Sequence, residues 1–376
     1  MEVAICGAGN VGCAQAVDLS LRGHNVRLFD VPPFSDRLKV IERDGGISYS
    51  GVLGHGKALV SCVFAPEDAV REAEIIFIAT PAYGHLSMFE AIRPYIREEQ
   101  LVIFDSSYFA CMRVFQWLKT GGILFKGIFA ELEISPYAAR LLKDGESVRV
   151  DIRGIKKGVG VATLASKNRG HLLEKLQTLY PEEVNLMSNV LETSLNNINV
   201  TMHTAIMTGN LGRIKSLYGM PTTEEVYDWG FYEDGLSPAV WRVIEVLDEE
   251  KKMLGQALAI KLETSREREK RLYTYIDPTT GEKKEAPPRA RKEAPATIMH
   301  RYYSEDVPYG LVPIYYLCDA VGIYAVGTLS IIILASIASG VDFLSQGVNL
   351  DSLGIRRGLR RDLTKEVIYR IVEGAV

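Results

Sequence analysis

The first 19 residues combine an apolar segment, three spaced glycines and a segment of helical composition. The apolar segment, residues 1–6, contains β-branched side chains that favour a buried strand. It is followed by the turn Gly7, Ala8, Gly9, Asn10, Val11 and Gly12, and then by residues 13–19. In such a strand–turn–helix unit the glycines permit a tight turn, the close approach of a pyrophosphate and close packing of the helix. The pattern predicts a dinucleotide-binding site at residues 7–12; the alternative is an α/β domain whose glycine turn holds no ligand.

A second predicted strand, residues 24–30, ends on an acidic residue, Asp30. Asp30 lies 18 residues after Gly12, close to the position of the acid that binds the ribose 2′-hydroxyl in such domains. A carboxylate at this point repels a 2′-phosphate, so it favours NAD(H) over NADP(H). Arg27 and Arg37 are near in sequence and leave NADP(H) open.

The overall composition is that of an ordinary globular protein with a sizeable core. The chain has 376 residues, 47% of them apolar, which predicts two domains. The net charge of −4 argues against nucleic acid as the main partner. The five cysteines are scattered, without CxxC spacing, so we expect a reducing compartment and no bound metal. Because the predicted fold begins at residue 3, we expect no signal peptide and a cytoplasmic protein.

The pattern of predicted elements changes near residue 168. Residues 1–168 alternate strands and helices, which is typical of a parallel sheet with crossover helices. Within this part, residues 147–164 alternate as a β-hairpin would. Residues 169–376 are mainly helical. The pattern therefore predicts a Rossmann-type α/β dinucleotide-binding domain over residues 1–168, followed by an all-α domain over residues 169–376.

Two segments of the helical part differ from their surroundings in composition. Residues 264–294 contain 15 charged positions, which predicts a solvated excursion, either a flap or an oligomer arm, and leaves a homodimer open. Residues 320–341 carry no charge, and their length alone would permit a membrane helix. Their glycine and serine content and their well-patterned flanks favour a buried helix of the helical domain, with no membrane partner.

A buried strand at residues 74–79 ends next to a proline. In open α/β sheets, ligands lie beyond the carboxyl ends of the strands. We therefore expect Thr80, Pro81, Ala82 and His85 to line the cofactor crevice. For His85 the alternative is that its side chain caps the following helix.

The candidate catalytic residues lie in the second half of the chain. Reduction of a carbonyl or imine carbon by hydride needs an acid/base group that titrates near neutral pH and a cation for substrate carboxylates. His203 lies on a helix predicted at residues 191–208, with Asn199 four positions earlier on the same face. Asp306 and Arg301 lie in an aromatic segment further on. The alternative for His203 is a histidine that is hydrogen-bonded within the core.

Several segments resemble the opine dehydrogenase family, which includes octopine, nopaline and N-carboxyethyl amino-acid dehydrogenases. The segments are residues 79–85, 136–140, 196–203, 231–238 and 301–313. The resemblance implies that a dinucleotide domain is followed by a helical domain, with the active site in the cleft between them. It implies that an amino acid amine condenses with a 2-oxo acid and that the resulting imine is reduced.

The resemblance also implies residue roles. By motif position, His203 and Asp306 match the catalytic pair, and Arg301 matches the substrate-binding arginine. Either Glu131 or Glu133 matches the acid that senses the amino donor, and we assign Glu133. Tyr137 and Asn199 fall in matching segments and are assigned to the substrate. Residues 105–116 lack the glycine-rich segment of many relatives and contain residues 109–112 instead, so no role is carried over there.

Two other functions fit the same sequence. One is a reductase of the same two-domain build that acts on a 2-oxo or branched hydroxy acid without an amine. The other is a non-catalytic dinucleotide sensor that uses residues 264–294 to bind a protein partner.

Overall fold

The computed structural model describes residues 1–32, 34–144, 147–180, 184–214, 229–276, 283–285 and 294–374. It divides into two compact units, Met1–Thr193 and Ser194–Val376. The predicted boundary after residue 168 lies earlier. The difference arises because Val184–Leu186 pairs with a strand of the first unit's sheet, and Arg169–Leu179 packs beside that strand.

The first unit is built on a mainly parallel sheet. Its strands are β1 Glu2–Cys6, β2 Asn25–Phe29, β3 Ile47–Gly51, β4 Gly56–Ala58, β5 Ser61–Cys62, β6 Ile75–Ile78, β7 Leu101–Phe104, β8 Ile128–Leu132, β9 Tyr137–Asp144, β10 Ser147–Ile155, β11 Val159–Thr163 and β12 Val184–Leu186. The large sheet has the order β12-β11-β8-β7-β6-β1-β2-β5. The six neighbouring strands β8, β7, β6, β1, β2 and β5 run parallel to one another. Strand β11 is antiparallel to β8. Strands β6 and β7 are buried throughout, as their continuous apolar sequences predict.

Helices flank this sheet. They are α1 Asn10–Leu21, α2 Asp36–Arg43, α3 Pro66–Val70, α4 His85–Ile92, α5 Ala110–Thr120, α6 Arg169–Leu179 and α7 Val190–Leu195, with 3₁₀ turns at Ala82–Gly84, Arg93–Tyr95 and Ser166–Asn168. Helix α1 starts inside the glycine turn and is buried at every position from Gly12 to Leu19. The Rossmann-type architecture of the first unit is confirmed.

The predicted hairpin at residues 147–164 is wrong. Strand β10 pairs instead with β9 before it, in a separate sheet of order β4-β3-β10-β9. Strand β11 belongs to the large sheet. The alternation of apolar and polar residues correctly predicted two strands, but such alternation does not specify which strand pairs with which.

The second unit is mainly helical, as predicted. Its helices are α8 Ile198–Gly209, α9 Pro238–Ala257, α10 Ser265–Tyr273, α11 Arg301–Ser304, α12 Val312–Ala320, α13 Val326–Ser339, α14 Phe343–Gln346 and α15 Arg361–Val372. A π-helical turn spans Val307–Leu311, 3₁₀ turns span Leu211–Arg213 and Asp351–Leu353, and a short ribbon pairs β13 Thr274–Ile276 with β14 Lys283–Glu285. Helix α9 begins with Pro238 in its first turn, and Ser237 Oγ accepts a hydrogen bond from the Val240 N–H at 3.3 Å.

The helix predicted at residues 191–208 is two helices. Helix α7 ends at Leu195, and α8 begins at Ile198. Asn197 is extended between them, and its side-chain oxygen accepts the Asn199 N–H at 3.1 Å. The break has a physical cause, since an asparagine that caps a helix N-terminus interrupts the helix before it.

The charged segment 264–294 is not solvated throughout. Its first part forms α10, in which Ser265 and Arg268 are fully buried. The Arg268 guanidinium donates to Asn196 Oδ1 at 2.7 Å and to the Glu263 carbonyl at 2.8 Å, so the buried charge has partners. Residues 277–282 and 286–293 lie outside the described residues.

The apolar segment 320–341 is buried on one face only. In α13 the side chains of Thr328, Ile331, Ile332 and Ala335 are buried, whereas Ile337 is 73% exposed. Among the described residues, no single helix combines the length and the apolar character needed to cross a membrane. Val326–Ser339 and Phe343–Leu353 meet that test only together, as a pair bent by 109°.

Candidate active site

A buried histidine and aspartate form the centre of the site in the second unit. His203 lies on α8 and is 2% exposed; Asp306, just before the π-helical turn, is 1% exposed. The distance from His203 Nδ1 to Asp306 Oδ2 is 2.9 Å. The turn approaches α8 closely at Gly310, where a β-carbon would lie 2.5 Å from Val200 Cγ2. The absence of a side chain at Gly310 therefore helps to bring Asp306 beside His203.

The other ring nitrogen of His203 has a tyrosine partner. His203 Nε2 lies 2.9 Å from the Tyr232 hydroxyl, on the loop before α9. The His203 ring also lies over Tyr302, with ring centroids 3.9 Å apart, and meets the edge of Phe231 at 5.8 Å. These aromatic rings fix the plane of the imidazole. Tyr232 lies in the family-like segment 231–238, and its place in that segment is the only feature of the sequence that could have indicated a role.

The arrangement suits acid/base chemistry. An aspartate at Nδ1 selects the tautomer that carries its proton there, and it stabilises the imidazolium when the ring is protonated. Proton exchange then takes place at Nε2, where Tyr232 lies. The structure thus brings together His203 and Asp306, which are 103 positions apart in the chain.

Of the predicted substrate-binding residues of this unit, one lies on α11 and the other on α8, the helix that carries His203. Arg301 is the first residue of α11, next to Tyr302, and its half-exposed guanidinium lies 3.9 Å from Glu305. Asn199 is partly buried, one turn before His203 on α8. An exposed arginine beside the histidine-packing tyrosine is suited to grip a carboxylate.

The glycine turn of the first unit has the shape needed for a dinucleotide. Gly7 has φ +121°, and a β-carbon on it would lie 3.0 Å from the Ala79 backbone. A β-carbon on Gly12 would collide with the Gly7 carbonyl, whereas nothing lies within 4 Å of the β-carbon position of Gly9. The turn is therefore closed on the sheet side and open at Gly9, which caps α1. A pyrophosphate fits at such a helix N-terminus.

Asn10 and Asp30 hold this turn in place. The Asn10 side chain accepts the Leu141 N–H at 2.8 Å. The Asp30 carboxylate accepts the Ala8 and Val31 N–H groups, each at 2.8 Å. Burial raises the pKa of Asp30, and these backbone hydrogen bonds oppose that rise. The Arg37 guanidinium donates to the Ala8 carbonyl, so a cation also lies at the turn.

The residues that follow β6, which were predicted to line the cofactor crevice, differ in how far they are buried. Thr80 and Pro81 are partly exposed beyond β6, whereas Ala82 and His85 are fully buried. His85 is the first residue of α4, and its ring packs on Phe104 with centroids 5.1 Å apart. Burial lowers the pKa of His85 to about 3, so the ring is neutral at physiological pH.

Glu131, Glu133 and Tyr137 are buried within the first unit. Glu131 accepts the Cys111 N–H at 2.9 Å and the Thr193 hydroxyl at 2.7 Å. Glu133 accepts the Gly160 N–H at 2.9 Å. The Tyr137 hydroxyl donates to Asp18 at 2.7 Å. These bonds give all three side chains a structural role, and a direct contact of Glu133 or Tyr137 with substrate stays a prediction.

Comparison with known proteins follows the division into two units. Residues 186–339 match the family described as NAD/NADP octopine/nopaline dehydrogenase, alpha-helical domain. Residues 3–105 match the ketopantoate reductase PanE/ApbA family. An opine dehydrogenase of Arthrobacter sp. (strain 1C) is 30% identical over 365 residues, which cover 94% of each chain.

Solved structures share the fold. Octopine dehydrogenase in complex with NADH and agmatine aligns with a TM-score of 0.69 at 20% identity, covering 100% of this chain and 98% of that one. Other octopine dehydrogenase structures contain NADH with pyruvate or with L-arginine. NADP⁺-bound yersinopine dehydrogenase aligns with a TM-score of 0.65 at 14% identity, covering 99% and 98% of the two chains.

The chain is an NAD(P)-dependent oxidoreductase that acts on CH–NH bonds, as these similarities, the glycine turn and the buried His–Asp pair together indicate. More narrowly, the chain belongs to the opine dehydrogenase family. The resemblance drawn from the sequence is thereby confirmed, as is a nicotinamide dinucleotide cofactor, NAD(H) or NADP(H).

Proposed function

We propose that this dehydrogenase condenses the amine of an amino acid with a 2-oxo acid and reduces the resulting imine. The observation that carries the proposal is the buried His203–Asp306 pair at 2.9 Å, with Nε2 directed at a hydroxyl rather than at a second carboxylate. Support also comes from the ligands of octopine dehydrogenase, which are NADH with agmatine, pyruvate or L-arginine.

The glycine turn would hold the pyrophosphate of the dinucleotide, and the nicotinamide would supply the hydride. In the condensation, the amine nitrogen bonds to the carbonyl carbon of the oxo acid. His203 Nε2 donates one proton to the oxygen of that carbon and the amine nitrogen supplies a second, so that the oxygen leaves as water and a protonated imine remains. Asp306 stabilises the imidazolium before this transfer, because its carboxylate lies 2.9 Å from Nδ1. Arg301 and Asn199 hold the substrate carboxylates.

Cofactor contacts are assigned to the turn Gly7, Ala8, Gly9, Asn10, Val11 and Gly12 and to the exposed strand-end residues. Thr80 and Pro81 contact the cofactor directly, while Ala82 and His85 support them from the buried side. Asp30 favours NAD(H), because its carboxylate lies at the turn and repels a 2′-phosphate. A reducing compartment such as the cytoplasm is inferred from the five free cysteines.

The acid/base assignment is tested by His203→Asn. We expect kcat to fall by roughly 10²–10⁴-fold, since proton transfer loses its positioned group. NADH binding, followed by fluorescence titration, is expected to persist, because the glycine turn is in the other unit. His55→Asn is the control, since His55 is an exposed histidine of the first unit. Unchanged turnover in His203→Asn would refute the assignment.

A second function is favoured by the match of residues 3–105 to ketopantoate reductases. In that case the chain reduces a 2-oxo acid directly, and the same histidine donates a proton to the carbonyl oxygen, which becomes the hydroxyl. The two functions are separated by measuring NADH oxidation with a 2-oxo acid, with and without a panel of amino acids. Oxidation that requires an amino acid supports condensation, and oxidation that proceeds equally without one supports the reductase.

A further inference from the structure

The start of α8 carries a buried amide that the acid/base chemistry does not use. Asn197 directly precedes this helix and is 1% exposed. Its Oδ1 caps the helix by accepting the Asn199 N–H at 3.1 Å. Its Nδ2, the donor of the same amide, is buried and has no hydrogen-bond partner among the residues that the structure describes. Such a donor calls for an acceptor, because burying an amide without a partner is unfavourable.

The capping hydrogen bond fixes where this donor lies. Because Oδ1 is held over the first turn of α8, the planar amide places Nδ2 at the same end of the helix. The N–H groups of a first helical turn point out of that end, and the helix dipole gives the end a partial positive charge. An amide donor at the N-terminus of a 12-residue helix is therefore suited to an anion.

The charged side chains next to this helix end also favour an anion. Arg268, which is fully buried, donates to Asn196 Oδ1 at 2.7 Å, one residue before Asn197. The acid beside it is Glu263, which lies 3.8 Å from Arg268 and 2.7 Å from the Arg271 guanidinium. In this group two guanidinium cations accompany one carboxylate. The group therefore adds a net positive charge near the start of α8.

The same end of α8 lies on the side towards which His203 leans. His203 follows Asn197 by six positions, a rise of about 9 Å along the helix. Helical side chains lean towards the N-terminus, so the imidazole lies nearer to Asn197 than this rise suggests. Asn199, which we assigned to the substrate, lies between the two and is only partly buried. An anionic group held at the start of α8 is thus within reach of a small molecule that reacts at His203.

The product of the proposed condensation carries two carboxylates, one from each substrate. Arg301 can grip one of them, and the other needs donors of its own. We propose that the Asn197 amide and the N-terminus of α8 bind this second carboxylate. The proposal rests on the proposed function and adds to it a substrate-binding residue on the helix that carries His203. A bound carboxylate would supply the acceptor that Asn197 Nδ2 needs.

The test removes the donor and keeps the helix cap. In Asn197→Asp one oxygen can still accept the Asn199 N–H, and aspartate caps a helix as well as asparagine does. The other oxygen takes the place of Nδ2 and repels an anion. We expect KM for one substrate to rise by at least about 100-fold, with kcat within about 3-fold of the wild type. NADH binding, followed by fluorescence titration, is expected to be unchanged.

The kinetics use the pair of 2-oxo acid and amino acid that gives the fastest NADH oxidation, with each substrate varied while the other is saturating. Asn197→Ser is the second variant, because serine keeps a capping oxygen and removes the donor without adding a charge. Its KM is expected to rise by about 10-fold, as for the loss of one hydrogen bond to a charged group.

Asn189→Asp is the matched control, because it makes the same change at another helix cap. Asn189 Oδ1 accepts the Leu191 N–H at 3.0 Å at the start of α7, and its side chain is partly exposed. Both KM values of this variant are expected to match those of the wild type. Urea unfolding shows whether each variant is folded, and the serine variant decides the proposal if the aspartate variant is not.

Each outcome bears on the proposal. A rise in KM for the 2-oxo acid or for the amino acid supports it and identifies the carboxylate that Asn197 binds. Values within about 2-fold of the wild type for both substrates overturn it, and so does a fall in kcat without a rise in KM. If the wild type oxidises NADH equally well without an amino acid, the condensation is wrong, and the 2-oxo acid series still decides the role of Asn197. A wild type that oxidises NADH with no pair overturns both.

Discussion

Replacing Asp105 with asparagine removes a pH dependence that this buried carboxyl group gives to folding. Asp105 follows β7 and is 2% exposed. Its Oδ1 accepts the Gln15 side-chain amide at 3.3 Å. Burial raises the pKa of Asp105 from 3.8 to about 8, and the Gln15 hydrogen bond opposes that rise. The group is therefore protonated in the folded protein at neutral pH.

The direction and the size of the change in unfolding free energy follow from the protons that the folded and unfolded states bind. Between pH 3.8 and about 8 the folded protein holds a proton on Asp105 that the unfolded chain has released. The stabilisation from the neutral carboxyl is thus complete below the unfolded pKa and is lost as the pH rises to the folded pKa. The free energy of unfolding falls by up to about 1.4 kcal/mol per pH unit, on the order of 4 kcal/mol by neutral pH.

Urea unfolding at a series of pH values measures the effect. Asparagine has the shape of the neutral acid and does not titrate, so Asp105→Asn is expected to gain stability over the wild type steadily as the pH rises from about 5 to about 8. Glu90→Gln is the control, because Glu90 is an exposed carboxylate of the same unit. Parallel stability curves for wild type and Asp105→Asn would refute the reasoning.

Two further substitutions test the tyrosine partner of His203 and the choice of cofactor. Tyr232→Phe removes the hydroxyl 2.9 Å from His203 Nε2, and we expect kcat to fall about 10-fold, the equivalent of one hydrogen bond. Tyr316→Phe, which removes a hydroxyl bonded to the Leu344 carbonyl, is expected to leave steady-state turnover unchanged. Asp30→Ser is expected to shift the ratio of kcat/KM for NADPH over NADH by at least about 10-fold towards NADPH, since the repelling carboxylate is gone and Arg37 remains. An unchanged ratio would show that Asp30 does not discriminate between the cofactors, and Asp36→Ser, an exposed aspartate, is the control.

The parts of the structure that depend on local pattern were predictable. The glycine turn, the buried strands and the Ser237 cap each follow from residues within a few positions of one another. His203 and Asp306 were identified by their segments, although their contact joins residues 103 positions apart. Their residue types and their motifs were enough to identify both residues. The distance between the two side chains is known only from the fold.

Features that depend on distant partners were not predictable. The many charged residues around α10 predicted a segment exposed to solvent. Arg268 is nevertheless buried, because Asn196, 72 positions away, accepts its hydrogen bond. The same limit applies to α13, since hydropathy reports how apolar a helix is and not which side is covered. Tyr232 was missed for a similar reason, because its hydroxyl meets His203 only through the path of a loop.

The close approach at Gly310 has a consequence for the annotation of genomes. Searches that score a sequence by the histidine and aspartate of this pair would accept a homologue with a bulky residue at the position of Gly310. In this fold such a residue would meet Val200 and push the aspartate-bearing turn away from α8. A sequence can therefore retain both the histidine and the aspartate and still encode a protein in which they do not meet. Position 310 belongs in any signature used to infer this activity.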